Sequence, residues 1–168
     1  MDFSLPPEIE DYRARIRALV ETDIIPLEAD RANYDEHENI RPDVLEDVRV
    51  KVKAAGLWAL QMPKDRGGQG LNVAGITPCY EEMNRSIFGP VCFNCAAPDD
   101  GNMTVLNKVA TDAQKERWLQ PIIDGNVRSS FAMTEPSPGS GSDPSAMMTT
   151  AEKKGDTWIV NGQKWFIT

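Results

Sequence analysis

The sequence predicts an α plus β chain: an N-terminal up-down helical bundle over residues 1–128, then, over 129–168, the first strands of an antiparallel β-barrel or sandwich domain, left incomplete. Three observations predict this. Apolar residues recur at three- and four-residue steps through most of the first 128 positions, the spacing of one helix face. Near Ser129 that period gives way to short runs of strand type with turn residues between them. At the changeover lies Phe131–Ala146, FAMTEPSPGSGSDPSA, where Pro136, Pro138 and Pro144 with Gly139 and Gly141 exclude both helix and regular strand.

The bulk numbers bound the rest. A chain of 168 residues holds one domain, or one and a part. A net charge of −8 argues against a nucleic-acid surface, which needs clustered Lys and Arg. No apolar run approaches the ~20 residues of a membrane span. The start MDFSLPPEIEDYR lacks the basic and apolar regions of a secretory signal. The expected location is cytoplasmic, or mitochondrial or peroxisomal in a eukaryote. Cys79, Cys92 and Cys95 make an odd count, the pattern of free buried thiols rather than a disulfide framework. Cys92–Cys95 is a lone C-x-x-C, and only Cys79 and His37 could join it as zinc ligands, so no metal site is expected. His37, the only histidine, lies in the polar run DRANYDEHEN and reads as surface.

Taken in order, Pro6, Pro7 and Glu8 open the first helix. Its apolar face is Ile9, Tyr12, Ile16, Leu19, Val20, Ile24 and Leu27, and Pro26 should end or kink it. Pro42 opens a second helix with Leu45, Val48, Val52 and Ala55 inward and Gly56 as its stop. Leu57–Leu60 reads as buried, and PKDRGGQG (63–70) as a glycine-rich connection, since no Lys-Ser/Thr pair follows its glycines. Asn72 then caps a helix expected to bury Val73, Ile76, Tyr80 and Met83. Residues 86–102 are small, apolar or Pro/Gly; they suit tight helix packing or the wall of a pocket for a long apolar ligand. The next helix carries Met103, Leu106 and Val109. Thr111-x-x-Gln114 is a capping box opening a helix with Trp118, Leu119 and Ile122 on one face, stopped by Gly125.

In the second part, 130–134 reads as a short strand, followed after the loop by strands at 147–152, 157–160 and 163–168. Lys154-Gly155-Asp156 offers one turn, and Asn161-Gly162 the stronger two-residue hairpin signal. The last strand would need further chain or a partner beside it.

The Phe131–Ala146 loop reads either as a linker or as a phosphate-approaching loop, since small residues leave N–H groups and hydroxyls open to an anion. The strand Lys164–Thr168 offers an aromatic pair and a hydroxyl, which could stack on a planar ring and bond its edge. Together they suit a dinucleotide-like cofactor, and the glycine spacing is not that of a doubly wound NAD site.

FAMTEP, GSDPSAM, TTA and GDTWIVNGQKWFIT resemble the flavin-binding middle region of acyl-CoA dehydrogenases. Upstream, IIPLE, AAGLWAL, GGQGL and TDAQKERWLQPIIDGNVRSSFAMTEP resemble that family's helical N-terminal domain, in the expected order, and FNCAAPDDGNM is similar to a long-chain-type branch with kinase-fused members in animals. The resemblance implies FAD as cofactor and α,β-dehydrogenation of a fatty acyl-CoA thioester to the trans-2-enoyl-CoA. It implies ring contacts from Phe131, the backbone of Met133 and Thr134. Gly141 and Ser142 fall at the pyrophosphate, and Ser142 also at the CoA arm. Phe166 takes the place of the aromatic over the flavin, and Thr168 that of the hydroxyl near its N5. Two departures stand out: Trp165 precedes Phe166, and the loop between TEP and GSD is two residues longer than the family's usual run. The family's catalytic base lies in a C-terminal helical domain, so none is assigned within 1–168; Glu135 reads as structural. The resemblance further implies an electron-transferring flavoprotein as acceptor and a homodimer or homotetramer. Alternatives on the same scaffold are an acyl-CoA oxidase, a flavin monooxygenase or a non-catalytic flavin- or acyl-CoA-binding module.

Overall fold

The computed structural model describes residues 4–139 and 141–167. Its contacts divide into two compact units, Met1–Arg128 and Ser129–Thr168. The first is helical and the second carries two antiparallel strands.

The helical unit opens with α1 (Pro7–Leu19), which starts on a proline at its first turn, where a missing N–H costs nothing. Pro26 does not end this helix. The backbone widens into a π-helical turn, Val20–Ile24, and α2 (Ile25–Glu28) carries Pro26 in its own first turn. The wider turn relieves the clash between a proline ring and the carbonyl four residues back. Pro121 is absorbed the same way: α7 (Asp112–Gln114) runs through a second π turn, Lys115–Leu119, into α8 (Gln120–Asp124). Between these lie α3 (Pro42–Ala54), α4 (Val73–Met83), α5 (Gly89–Cys92) and α6 (Asp99–Val109).

The stops and starts rest on specific groups. The Asn72 side chain accepts from the Gly75 N–H at 3.0 Å. The Thr111 hydroxyl accepts from Gln114 N–H while the Gln114 side chain accepts from Thr111 N–H, a complete capping box. Gly125 ends α8 at φ 82°. In the 63–70 connection a side chain on Gly68 would fall on the Met62 and Ala59 carbonyls, so only glycine lets the chain turn back there.

The core is Ile16 of α1 with Val20 and Ile24 of the π turn that follows it, Val48 and Val52 of α3, the Leu57–Leu60 run, and Met83, Phe93, Met103, Leu119 and Ile123. Each such side chain contributes roughly 1.5–3 kcal/mol by leaving water. Cys79, Cys92 and Cys95 are buried free thiols among them, and burial pushes Cys92 and Cys95 up to about 12. Val73, expected inside, faces out (79% exposed), as do Val109 (75%) and Trp118 (47%). Val73 is the first residue of α4 and Val109 the last of α6, and helix ends stand clear of the core. Trp118 sits in the second π turn, whose altered step rotates it off the buried face; the Arg117 guanidinium lies over its ring at 5.3 Å.

In the second unit, β1 (Thr150–Lys154) pairs antiparallel with β2 (Thr157–Asn161), from Thr150 opposite Asn161 to Lys154 opposite Thr157. The hairpin therefore turns at Gly155-Asp156, with Gly155 at φ 62°, and not at Asn161-Gly162. A first loop residue in the left-handed region followed by an ordinary one is the Gly-X hairpin chemistry. Gly162 serves close packing instead: a Cβ there would overlap the Thr149 side chain. The strands expected at 130–134 and 163–167 are not strands. A single bridge joins Glu135 to Gly141, and a side-chain ammonium, that of Lys164, occupies the Met133 carbonyl where a ladder N–H would sit.

Candidate functional site

The 129–168 unit is built around Glu135, its only buried residue among those described. The carboxylate accepts from Met148 N–H at 2.6 Å, from Thr149 N–H at 2.9 Å, from the Thr149 hydroxyl, and from Lys164 Nζ at 2.9 Å. The Thr149 hydroxyl, then Lys164 and the Met148 amide, hold its carboxyl down at about 2, far below the ordinary 4.5. Glu135 N–H donates to the Gly141 carbonyl at 3.0 Å, and Gly139 N–H to Pro136 carbonyl at 2.7 Å. The proline- and serine-rich segment is thus a closed loop pinned at its base. A Cβ on Gly139 would come within 2.6 Å of the Glu135 Cβ, so glycine is what lets the loop fold over the carboxylate.

This hub draws several predicted residues together. The Met133 carbonyl accepts from Lys164 Nζ at 2.9 Å, and the Thr134 carbonyl accepts from Trp165 N–H at 3.2 Å. Thr134 is half-buried beside the aromatic pair's backbone. The Trp165 and Phe166 ring centroids are 4.7 Å apart, tilted by 41°. Phe166 is 80% exposed and its φ of 50° lies in the left-handed region, so the simple alternation expected of a strand does not apply to this pair. Gly141 takes φ 62°, and a Cβ on it would meet no atom within 4 Å, leaving its backbone open to an approaching group. Ser142 and Phe131 are exposed. Thr168, like Ser140, lies outside the described residues.

The site's chemistry is an exposed aromatic pair, the half-buried Thr134 joined to it through the main chain, and a glycine–serine loop with open backbone. That donor and stacking set fits a flavin ring and its phosphates. Lys164 was not among the residues singled out from the sequence. Its signal was present in NGQKWFIT, where a lone cation precedes an apolar run, but a lysine there reads as solvated until its carboxylate partner is known.

The helical unit has a separate cleft of about 490 Å³, lined by Leu45, Phe88, Val91, Cys95 and Ala96 with Arg128 among its polar groups. Within residues 86–102, Phe88, Cys92 and Phe93 pack the core, and Phe88, Val91, Cys95 and Ala96 line this cleft. Arg128 pairs with the buried Asp99 carboxylate. Glu82, also buried, is held by Arg13 at 3.1 Å and Arg17 at 2.5 Å, tying α4 to α1. His37 is exposed.

The described chain is thus a helical unit followed by a unit that carries a two-stranded antiparallel hairpin and a closed proline- and serine-rich loop. Residues 6–126 match the acyl-CoA dehydrogenase N-terminal domain, and residues 130–168 the acyl-CoA dehydrogenase middle domain. A Mycobacterium tuberculosis protein assigned as an acyl-CoA dehydrogenase, FadE2, is 35% identical over 171 residues, covering 99% of this chain and 41% of its own length. Acyl-CoA dehydrogenase family member 11 of Gallus gallus is 37% identical over 163 residues, covering 94% of this chain and 20% of its own. A solved structure from Mycobacterium abscessus carrying an acyl-CoA dehydrogenase assignment superposes with a TM-score of 0.87 at 36% identity, over 99% of this chain and 43% of that one. The chain belongs to the acyl-CoA dehydrogenase family, and it spans less than half the length of these relatives.

Proposed function

We propose that this chain forms the N-terminal helical domain and the first half of the flavin site of an FAD-dependent acyl-CoA dehydrogenase, which converts a fatty acyl-CoA thioester to the trans-2-enoyl-CoA. The observation that carries the reading is the joining of Thr134 to Trp165 by a main-chain hydrogen bond beside the Glu135-pinned loop. In this reading Phe131, the Met133 backbone and the Thr134 hydroxyl meet the ring edge, and Phe166 with Trp165 covers its face. Gly141 and Ser142 offer backbone and hydroxyl donors to the pyrophosphate, with Ser142 also toward the CoA arm; Thr168, outside the described residues, keeps the role near flavin N5 that the family resemblance implies. FAD, when bound, supplies the hydride acceptor; the chain orients it.

No catalytic base is assigned in this chain. Glu135 is unsuited to that work: its carboxylate is already taken by four donors, and its acidity is far from that of a base poised near neutral pH. The same reading makes an electron-transferring flavoprotein the electron acceptor and a homodimer or homotetramer the assembly, within the cytoplasm or, in a eukaryote, the mitochondrion or peroxisome. The test is anaerobic addition of acyl-CoA of graded chain length to the full-length protein. Bleaching of the flavin's visible absorbance by at least one chain length is expected. A bound flavin that no acyl-CoA bleaches would contradict dehydrogenation.

A further inference from the structure

Lys164 stands at a junction. Its ammonium reaches the Glu135 carboxylate and the Met133 carbonyl, each at 2.9 Å, and it is largely covered. The next residue, Trp165, donates its N–H to the Thr134 carbonyl. One cation therefore links the loop's pin, the 131–134 segment and the aromatic pair. We propose that Lys164 is a positioning residue for the flavin, holding Trp165 and Phe166 in register with Thr134; this rests on the flavin reading above.

The pattern of acceptors separates this role from general support. Without Lys164, the Glu135 carboxylate keeps three donors: the Met148 and Thr149 amides and the Thr149 hydroxyl. The 135–149 loop then stays pinned. What is lost is the tie from the 164–166 segment to Met133 and Glu135. An ammonium placed between two acceptors is a point charge with two of its three N–H groups committed. An arginine can span the same two acceptors with its fork, whereas a methionine of similar shape spans neither.

The experiment uses the apo full-length protein and its K164M and K164R variants, titrated with FAD and followed by flavin circular dichroism and by amide exchange. K164M is expected to weaken FAD by about tenfold, the order of one lost charge-assisted hydrogen bond. It should also alter the flavin dichroism and speed exchange at Trp165, while Met148 and Thr149 stay protected; K164R should restore most of the affinity. Wild-type affinity and dichroism in K164M would overturn the proposal. Loss of Met148 and Thr149 protection in K164M would also overturn it, by making Lys164 a prop of the loop. A wild-type protein that binds no FAD would instead sink the flavin reading itself, and the proposal with it.

Discussion

In the helical unit the deepest side chains are apolar but for the arginine-paired Glu82: Phe93, Ile16, Leu57, Met83 and Met103 are essentially sealed from water. In the 129–168 unit every residue of both strands is exposed, and the residue at its centre is a carboxylate. The first unit is held by area removed from water. The second is held by donors converging on Glu135, with Phe131, Trp158, Val160, Trp165 and Phe166 left on its surface. Of these, Trp165 and Phe166 lie ring against ring, an apolar pair open to a ligand or to more protein. The contrast shows how one chain can pair a stable platform with a site whose apolar groups remain available for something else.

The comparison can be broken at several points. The largest effect is expected in the helical core: Phe93→Ala should cost about 3–5 kcal/mol of unfolding free energy, measured by denaturant titration, because the site is fully buried. Gly68→Ala should cost about 1–3 kcal/mol, since its methyl would displace the Met62 and Ala59 carbonyls. Glu135→Gln should leave the helical unit's unfolding midpoint in place but speed amide exchange at Met148 and Thr149, as an amide cannot match a carboxylate toward four donors. If exchange at both amides is unchanged, the second unit does not hang on this hub.

The pH dependence sharpens the same point. The Glu135 carboxyl is depressed in the folded chain, from 4.5 to about 2. Its stabilising contribution is therefore complete above about 4.5 and fades as pH falls toward about 2. A carbon-detected NMR titration of that carboxyl should find it still ionised at pH values where solvent-facing glutamates have protonated; titration at the ordinary value would refute the hub. The smallest effect is expected at Val109→Ala, within about 0.5 kcal/mol, because that side chain already faces solvent.

Much of the helical unit was legible in the sequence because helix signals are local. The Thr111–Gln114 box, the Asn72 cap and the Ile16–Val20–Ile24 face each depend on residues a turn or two apart. The errors there came from side chains at helix ends, such as Val73, and from geometry that spacing does not encode: the π turns before Pro26 and Pro121, one of which turns Trp118 outward. In the second unit the decisive contacts are not local. Glu135 meets Met148, Thr149 and Lys164 across 13 to 29 residues. Hence the aromatic pair and Thr134 could be named as site candidates and Glu135 as structural, but the lysine that links them could not. Asn161-Gly162 misled for a related reason: its glycine answers a close approach to Thr149 and not a turn.

Amide hydrogen exchange of the full-length protein with and without FAD tests the site assignment most directly. The account predicts that FAD slows exchange within 131–134, at 141–142 and within 164–167, and leaves the His37 loop and the Cys92–Cys95 segment unchanged. Protection confined to other segments, with none at Thr134, Gly141 or Trp165, would contradict it.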